Sequence, residues 1–222
     1  MPHHLPEVAS TFAPAIDGHI ALIYVVCGVW LAAAEIALFW ALFRYRRGAS
    51  PRAAWMPADG ARQAAWVLVP AAAVLGFDLF IEWDSARVWA HVKERTPRGN
   101  VEVRMTARQF GFDFHYPGPD GRLGTTDDVA SRELRVPAGR IVRLEMESAD
   151  VVHAFYVPEL RLKQDIVPGR RIAAWFEPTR PGRYTIACAE LCGVAHSLMQ
   201  APLLVEPVEA WRRWATQTGA IR

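Results

Sequence analysis

Apolar positions follow two different patterns along this chain, and the change of pattern divides it. Residues 20–43 read IALIYVVCGVWLAAAEIALFWALF, an almost unbroken apolar run with Glu35 as its only charge. At about 1.5 Å per residue, such a run crosses a hydrocarbon layer of roughly 30 Å as one helix. A second run, AAWVLVPAAAVLGFDLFIEW over residues 64–83, is interrupted by Pro70 and Asp78, which membrane helices tolerate when packed against protein. Two membrane helices are therefore predicted. Beyond a linker at 96–100 the apolar period shortens to two, through Val101, Val103, Met105 and Ala107 and then Phe110, Phe112 and Phe114. Further strand-like runs fall at 140–147, 151–157, 171–176, 183–187 and 201–205, separated by turn signals such as PGPDG, PAG, VPGR and RPGR. Many short strands so punctuated predict a β-sandwich or barrel. In VEAWRRWATQ, Trp211 and Trp214 stand three apart, the spacing of a short terminal helix.

Charge orients the hairpin. The segment before Ile20 holds no Lys or Arg, whereas the connection between the two runs holds Arg44, Arg46, Arg47, Arg52 and Arg62 against the single acid Asp59. Basic loops stay in the cytoplasm, so both ends of the chain are predicted outside. The chain then reads as an extracytoplasmic segment over 1–19, a transmembrane hairpin with its linker over 20–96, and an extracytoplasmic domain over 97–222. The missing positive charge at the start also argues against a cleavable leader. From Pro97 onward there are 17 basic and 15 acidic residues, so the domain is no acidic magnet for a basic partner, and nothing in the charge points to nucleic acid. Clustered acids in PGPDGRLGTTDD (Asp120, Asp127, Asp128) lack the alternation and distant Glu of a calcium loop and read as a hairpin tip.

The sharpest local pattern is CAELCGVAHSLM, which places sulfur, sulfur, imidazole and thioether at positions 188, 192, 196 and 199. Thiolate and thioether are soft ligands suited to copper. A second cysteine raises the count beyond a mononuclear site, since two thiolates can bridge two copper ions. His153 and His196 then give one nitrogen each, Met199 a weak ligand and Glu190 its backbone carbonyl. Three other readings compete. A Cys188–Cys192 disulfide leaves His196 and Met199 without a purpose, and a structural zinc site seldom includes methionine. A helical core stripe would also use this spacing, but Gly193 just after a strand argues for a loop. Cys27 stands apart from the pair.

Four motifs together resemble subunit II of cytochrome c oxidase: C-x-E-x-C-G-x-x-H-x-x-M from Cys188 to Met199, D-V-V-H from Asp150 to His153, K-x-D-x-x-P-G-R from Lys163 to Arg170, and W-V-L-V-P-A from Trp66 to Ala71. The likeness runs from Ile20 onward. It implies a two-helix transmembrane hairpin followed by an all-β, cupredoxin-like Greek-key sandwich carrying the binuclear CuA centre, periplasmic in a bacterial inner membrane. Electrons would come from a c-type cytochrome and pass to heme in a separate catalytic subunit of a heme–copper oxidase, where oxygen is reduced, so this chain carries no catalytic residue of its own. Surrounding lipid and the other oxidase subunits are the remaining partners. Glu190 would offer its carboxylate to a magnesium ion shared with the catalytic subunit, and Asp150 matches a position near the cytochrome docking face.

Three positions depart from the family. Phe110 and Phe112 stand where the family carries tryptophans below the docking surface, one of them an electron-entry residue, and phenylalanine lacks the indole donor. His115 in the same run reads as a surface or hairpin residue rather than a ligand. Gln63 replaces a glutamate that in many members helps admit protons, and Gln does not titrate. Asp59 or Glu35 would have to substitute, although Glu35 reads first as a helix-packing contact. A CuA-bearing nitric oxide reductase would show the same ligands, as would in part a membrane-tethered module for copper storage or delivery. A quinol oxidase subunit, which lacks the copper ligands, is disfavoured.

Overall fold

The computed structural model describes residues 5–48, 59–94 and 97–220. Arg52 in the basic connection and Thr96 in the linker lie outside the described residues. The chain forms two compact units, one from residues 17–89 and one in which the N-terminal segment up to Ile16 joins everything from Ala90 onward.

Two long helices make up the first unit. Helix α1 spans Ala13–Arg44 and α2 spans Ala61–Trp89, each starting earlier and ending later than the apolar run inside it because the flanking residues continue the helical backbone. Both are long and apolar enough to cross a membrane. Side chains such as Leu31, Phe39, Trp66, Val69 and Leu79 stand exposed around them. Trp30 meets Phe77 edge to face at 6.0 Å, and His19 Nδ1 lies 2.7 Å from Asp84 Oδ2. Pro70 sits inside α2, where its missing N–H frees the carbonyl of Trp66.

A two-sheet β-sandwich dominates the second unit. The strands are β1 (Val101–Arg108), β2 (Gly111–Tyr116), β3 (Val129–Ser131), β4 (Leu134–Pro137), β5 (Val142–Ser148), β6 (His153–Val157), β7 (Leu162–Ile166), β8 (Ile172–Phe176), β9 (Gly182–Ala187) and β10 (Gln200–Glu206). One sheet has the order β3-β2-β1-β5-β8 and the other β4-β10-β9-β6-β7. Buried and less buried positions alternate most regularly along β1, β2, β5 and β10. Val101, Val103, Met105 and Ala107 of β1 are buried beside Val142, Leu144 and Met146 of the parallel strand β5. Phe155 of β6 stacks on Phe176 of β8 at 6.3 Å, joining the two layers. Helix α3 (Val208–Thr218) closes one end, its buried Trp211 donating from Nε1 to the Arg135 carbonyl and its Trp214 ring standing edge-on to Tyr116 at 5.1 Å.

The sandwich extends past the expected boundary at Pro97 on two sides. Ala9, Ser10, Phe12 and Ala13 are buried in it, Ser10 Oγ donates to the Leu160 carbonyl at 2.8 Å, and Phe12 meets Trp175 edge to face at 5.5 Å. The π-helical turn Ala90–Glu94 adds Lys93, whose Nζ donates to the Lys163 carbonyl and to Gln164 Oε1. Strands β3, β4 and β7 had no counterpart in the sequence pattern. They are short, and β7 (LKQDI) buries only its two apolar ends, which leaves no alternation to read. Conversely, residues 140–141 and 151–152 lead into strands rather than belonging to them, and Phe110 occupies the turn between β1 and β2. The PGPDGRLGTTDD segment links the antiparallel pair β2 and β3, with Asp127 accepting from the Asp120 N–H and Asp128 from the Gly124 N–H. Those acids satisfy the turn's own backbone. His115 lies half-buried on β2, on the face opposite Phe114.

Candidate metal centre

Strands β9 and β10 are antiparallel neighbours that pair Ala187 with Gln200, and the residues joining them are the motif CAELCGVAHSLM. The loop is closed at its base by the Cys188 N–H donating to the Met199 carbonyl at 3.1 Å. Within it the chain is irregular from Cys188 to Ala195 and then makes one 3-10 turn over His196–Leu198. A continuous helix carrying a core stripe is therefore absent. Next to β9 in the same sheet lies β6, and its first residue is His153. Sheet order thus delivers a ligand from 35 positions upstream in sequence.

All six expected donors converge. The Cys188 and Cys192 sulfurs are 3.9 Å apart, and both cysteines are free, well outside the ~2.05 Å of a disulfide bond. Cys188 Sγ lies 3.9 Å from His153 Nδ1 and 3.2 Å from the Glu190 carbonyl, while Cys192 Sγ lies 3.6 Å from His196 Nδ1 and 3.7 Å from Met199 Sδ. One nitrogen of His153 and the two thiol sulfurs fall within 4.8 Å of one another, a spacing that could hold a metal ion. His153 and Met199 are fully buried, both cysteines are buried, and His196 alone of the side-chain donors is half-exposed. Burial pushes the Cys192 thiol up to about 11, with the neighbouring Cys188 adding to the shift. Two thiolates so close need cationic charge between them. A soft donor set with a thioether and a carbonyl beside two sulfurs fits copper.

Neighbouring groups fix these donors. Asp150 Oδ1 lies 2.7 Å from His153 Nε2, so that ring nitrogen carries the proton and Nδ1 presents its lone pair toward Cys188. Burial raises the Asp150 carboxyl, but hydrogen bonds from the Gln109 N–H, His153 and the Val151 N–H outweigh it and hold the group at about 2. Gln109 reaches the other half of the site as well, its Nε2 donating to the Cys192 carbonyl at 2.5 Å. Gly193 makes that approach possible: at φ +138°, a Cβ there would stand 2.8 Å from Gln109 Nε2 and 3.1 Å from two ring carbons of Phe110. The two oxygens of Glu190 diverge, the carbonyl toward Cys188 and the carboxylate to Lys163 Nζ at 2.6 Å, and Lys163 also pairs with Asp165 at 2.8 Å.

The residues proposed for electron entry do not share one position. Phe110 lies against the ligand loop and is 38% exposed, Asp150 lies beside it through Gln109, and Phe112 is buried in the sandwich core. Sequence reading gave Gln109 and Lys93 no role, because a lone polar residue before a turn or after a helix carries no spacing signal.

Residues 122–208 match the family model described as cytochrome c oxidase subunit II, periplasmic domain. An alternative cytochrome c oxidase subunit 2 of Bradyrhizobium diazoefficiens is 32% identical over 230 residues, covering 91% of this chain and 79% of that protein. A cytochrome c oxidase subunit 2 of Thermostichus vulcanus is 27% identical over 263 residues, covering 99% of this chain and 80% of that one. The crystal structure of the periplasmic domain of subunit II of a Bradyrhizobium japonicum cytochrome oxidase aligns with 56% of this chain and 96% of its own, at 24% identity and a TM-score of 0.48. A likeness that takes in both apolar helices and the sandwich, over most of the length of both sequences, goes beyond a shared fold: the chain belongs to the cytochrome c oxidase subunit II family.

Proposed function

We propose that the chain is the electron-entry subunit of a respiratory heme–copper oxidase, taking electrons singly from a c-type cytochrome and passing them to heme in the catalytic subunit, where oxygen is reduced to water. The observation that carries this reading is the gathering of His153, His196, Met199 and the Glu190 carbonyl around the paired Cys188 and Cys192 sulfurs. Two copper ions bridged by the thiolates would supply a one-electron acceptor. The protein's part is rigidity. His153 is set by Asp150, Cys188 and Met199 are locked across the β9–β10 base, and Gln109 holds the Cys192 carbonyl. Donors fixed in this way move little when charge arrives, and buried donors keep water out of the rearrangement. The Glu190 carboxylate, turned away from the thiols, is the group to offer a magnesium ion at the contact with the catalytic subunit.

We place α1 and α2 across a bacterial inner membrane, in contact with lipid and with the other oxidase subunits, and the sandwich on the periplasmic side. The test is electron paramagnetic resonance on the full-length, copper-loaded chain. Hyperfine splitting from two equivalent copper nuclei is expected, collapsing to a one-copper spectrum or to none in Cys192→Ser while the β circular dichroism persists. A two-copper signal that survives that substitution, or a one-copper spectrum in the unaltered chain, would sink the bridging role.

A further inference from the structure

In the helical unit, one carboxylate stands alone in apolar surroundings. Asp78 lies inside the apolar run of α2, exposed, and among the described residues its side chain makes no hydrogen bond or ion pair. The cations of the two helices are out of reach or already engaged. On α2, Arg62 and Arg87 lie about 24 Å and about 14 Å away along the axis at 1.5 Å per residue, and Arg87 rests on the Trp83 ring at 4.7 Å. On α1, His19 is taken by Asp84 at 2.7 Å and Arg44 closes the far end. Nor does Asp78 face α1. Phe77 and Asp84 make those contacts, through Trp30 and His19, and Asp78 is turned roughly 100° from Phe77 around the helix. Helical spacing sets Ala71, Leu75, Asp78 and Glu82 on one flank of α2. Phe80 and Trp83, whose rings lie 6.3 Å apart, belong with Arg87 to another flank.

Depth gives the unpaired charge its meaning. With α2 placed across the membrane as proposed above, Asp78 lies roughly 8 Å inside the end of the apolar run at Trp83. An aspartate side chain is too short to carry its carboxylate that far to headgroup water, whereas Glu82 stands next to the end of the run. A carboxylate in hydrocarbon persists only against an opposite charge or hydrogen-bond donors, and protonation would leave an O–H without an acceptor. Lipid and a wholly apolar helix both fail that requirement. Resting on that membrane placement, we infer that the Ala71–Leu75–Asp78–Glu82 flank is an interface, occupied by a membrane helix of a neighbouring oxidase subunit that carries an arginine or lysine at the depth of Asp78. Ala71, with its small side chain, lets a helix approach closely, and the ion pair fixes its height against α2.

Photocrosslinking in the assembled oxidase identifies the occupant. Benzoylphenylalanine in place of Leu75, which leaves Asp78 intact, is expected to join a peptide of another subunit with Arg or Lys within about one helical turn of the adduct. An adduct with lipid, or with a peptide that has no basic residue there, overturns the inference. A second measurement reads the charge itself, as the amount of the other subunits recovered with the tagged chain from mild detergent, per chain present in the membrane. Asp78→Leu suits a site facing lipid or an apolar helix, but it strands the partner's cation, so recovery is expected to fall about tenfold. Asp78→Glu keeps the charge and is expected to stay within about twofold of the unaltered chain. Recovery with Asp78→Leu equal to that of the unaltered chain overturns the pairing while the membrane placement stands. Release of the unaltered chain from membranes by alkaline carbonate overturns the placement and the interface together.

Discussion

At the scale of single residues, the copper loop depends on groups that never touch metal. Gln109 is the clearest case, because its side chain and its backbone hold different halves of the site. The amide reaches the Cys192 carbonyl and the N–H reaches Asp150, which orients His153. Gln109→Ala removes only the first contact and leaves the second in place. A hydrogen bond of this kind contributes about 1 kcal/mol, so Gln109→Ala is expected to bind the same amount of copper but release it to a chelator roughly fivefold faster. Release at the unaltered rate would show that the Cys192 carbonyl needs no anchor. The spacing of the candidate donors from Cys188 to Met199 was legible in the sequence, since it belongs to one tight loop between adjacent strands. Gln109 was not, because its partner lies 83 positions away and becomes a neighbour only when the sheet carrying the β1–β2 turn packs on the sheet carrying β9 and β10.

Among elements, the unexpected packing is that of the N-terminal segment. Phe12 is 1% exposed, and its ring meets Trp175 of β8. The segment is further pinned by the Ala9 N–H on the Glu159 carbonyl, the Thr11 N–H on the Glu177 carbonyl and the Thr179 N–H on the Ala9 carbonyl. Phe12→Ala is expected to cost about 3 kcal/mol in the copper-free chain, read as a lower denaturant midpoint followed by tryptophan fluorescence. A midpoint shift worth under ~0.5 kcal/mol would mean that the segment merely rests on the sandwich. Both long helices and most strands could be read in advance because lipid and the sandwich core each impose a period. Strands β3 and β7 could not, for their apolar residues are too few to alternate, and what fixes them is pairing with β2 and β6. The N-terminal segment was not assigned to the sandwich for a related reason: a short stretch ahead of a long helix carries no sign that Phe12 will fill a gap between strands far along the chain.

For the molecule as a whole, the question is which side of the membrane the Cys188–Met199 loop faces, since under the proposed function that side supplies the electrons. Arg44, Arg46, Arg47 and Arg62 gather where α1 ends and α2 begins, and the N-terminal segment carries no basic residue before α1. Arginines are held on the cytoplasmic side, which predicts that the N-terminal segment and the sandwich lie outside. Thiol labelling in whole cells decides the matter. A cysteine at exposed Gln217 on α3 should react with a small maleimide that cannot cross the inner membrane, and one at Arg46 should react only after that membrane is opened. The unaltered chain supplies the background, which includes exposed Cys27 on α1 beside the buried Cys188 and Cys192. Labelling of Arg46→Cys in intact cells, with Gln217→Cys protected, would reverse the orientation and place the Cys188–Met199 loop on the cytoplasmic side, out of reach of a periplasmic cytochrome.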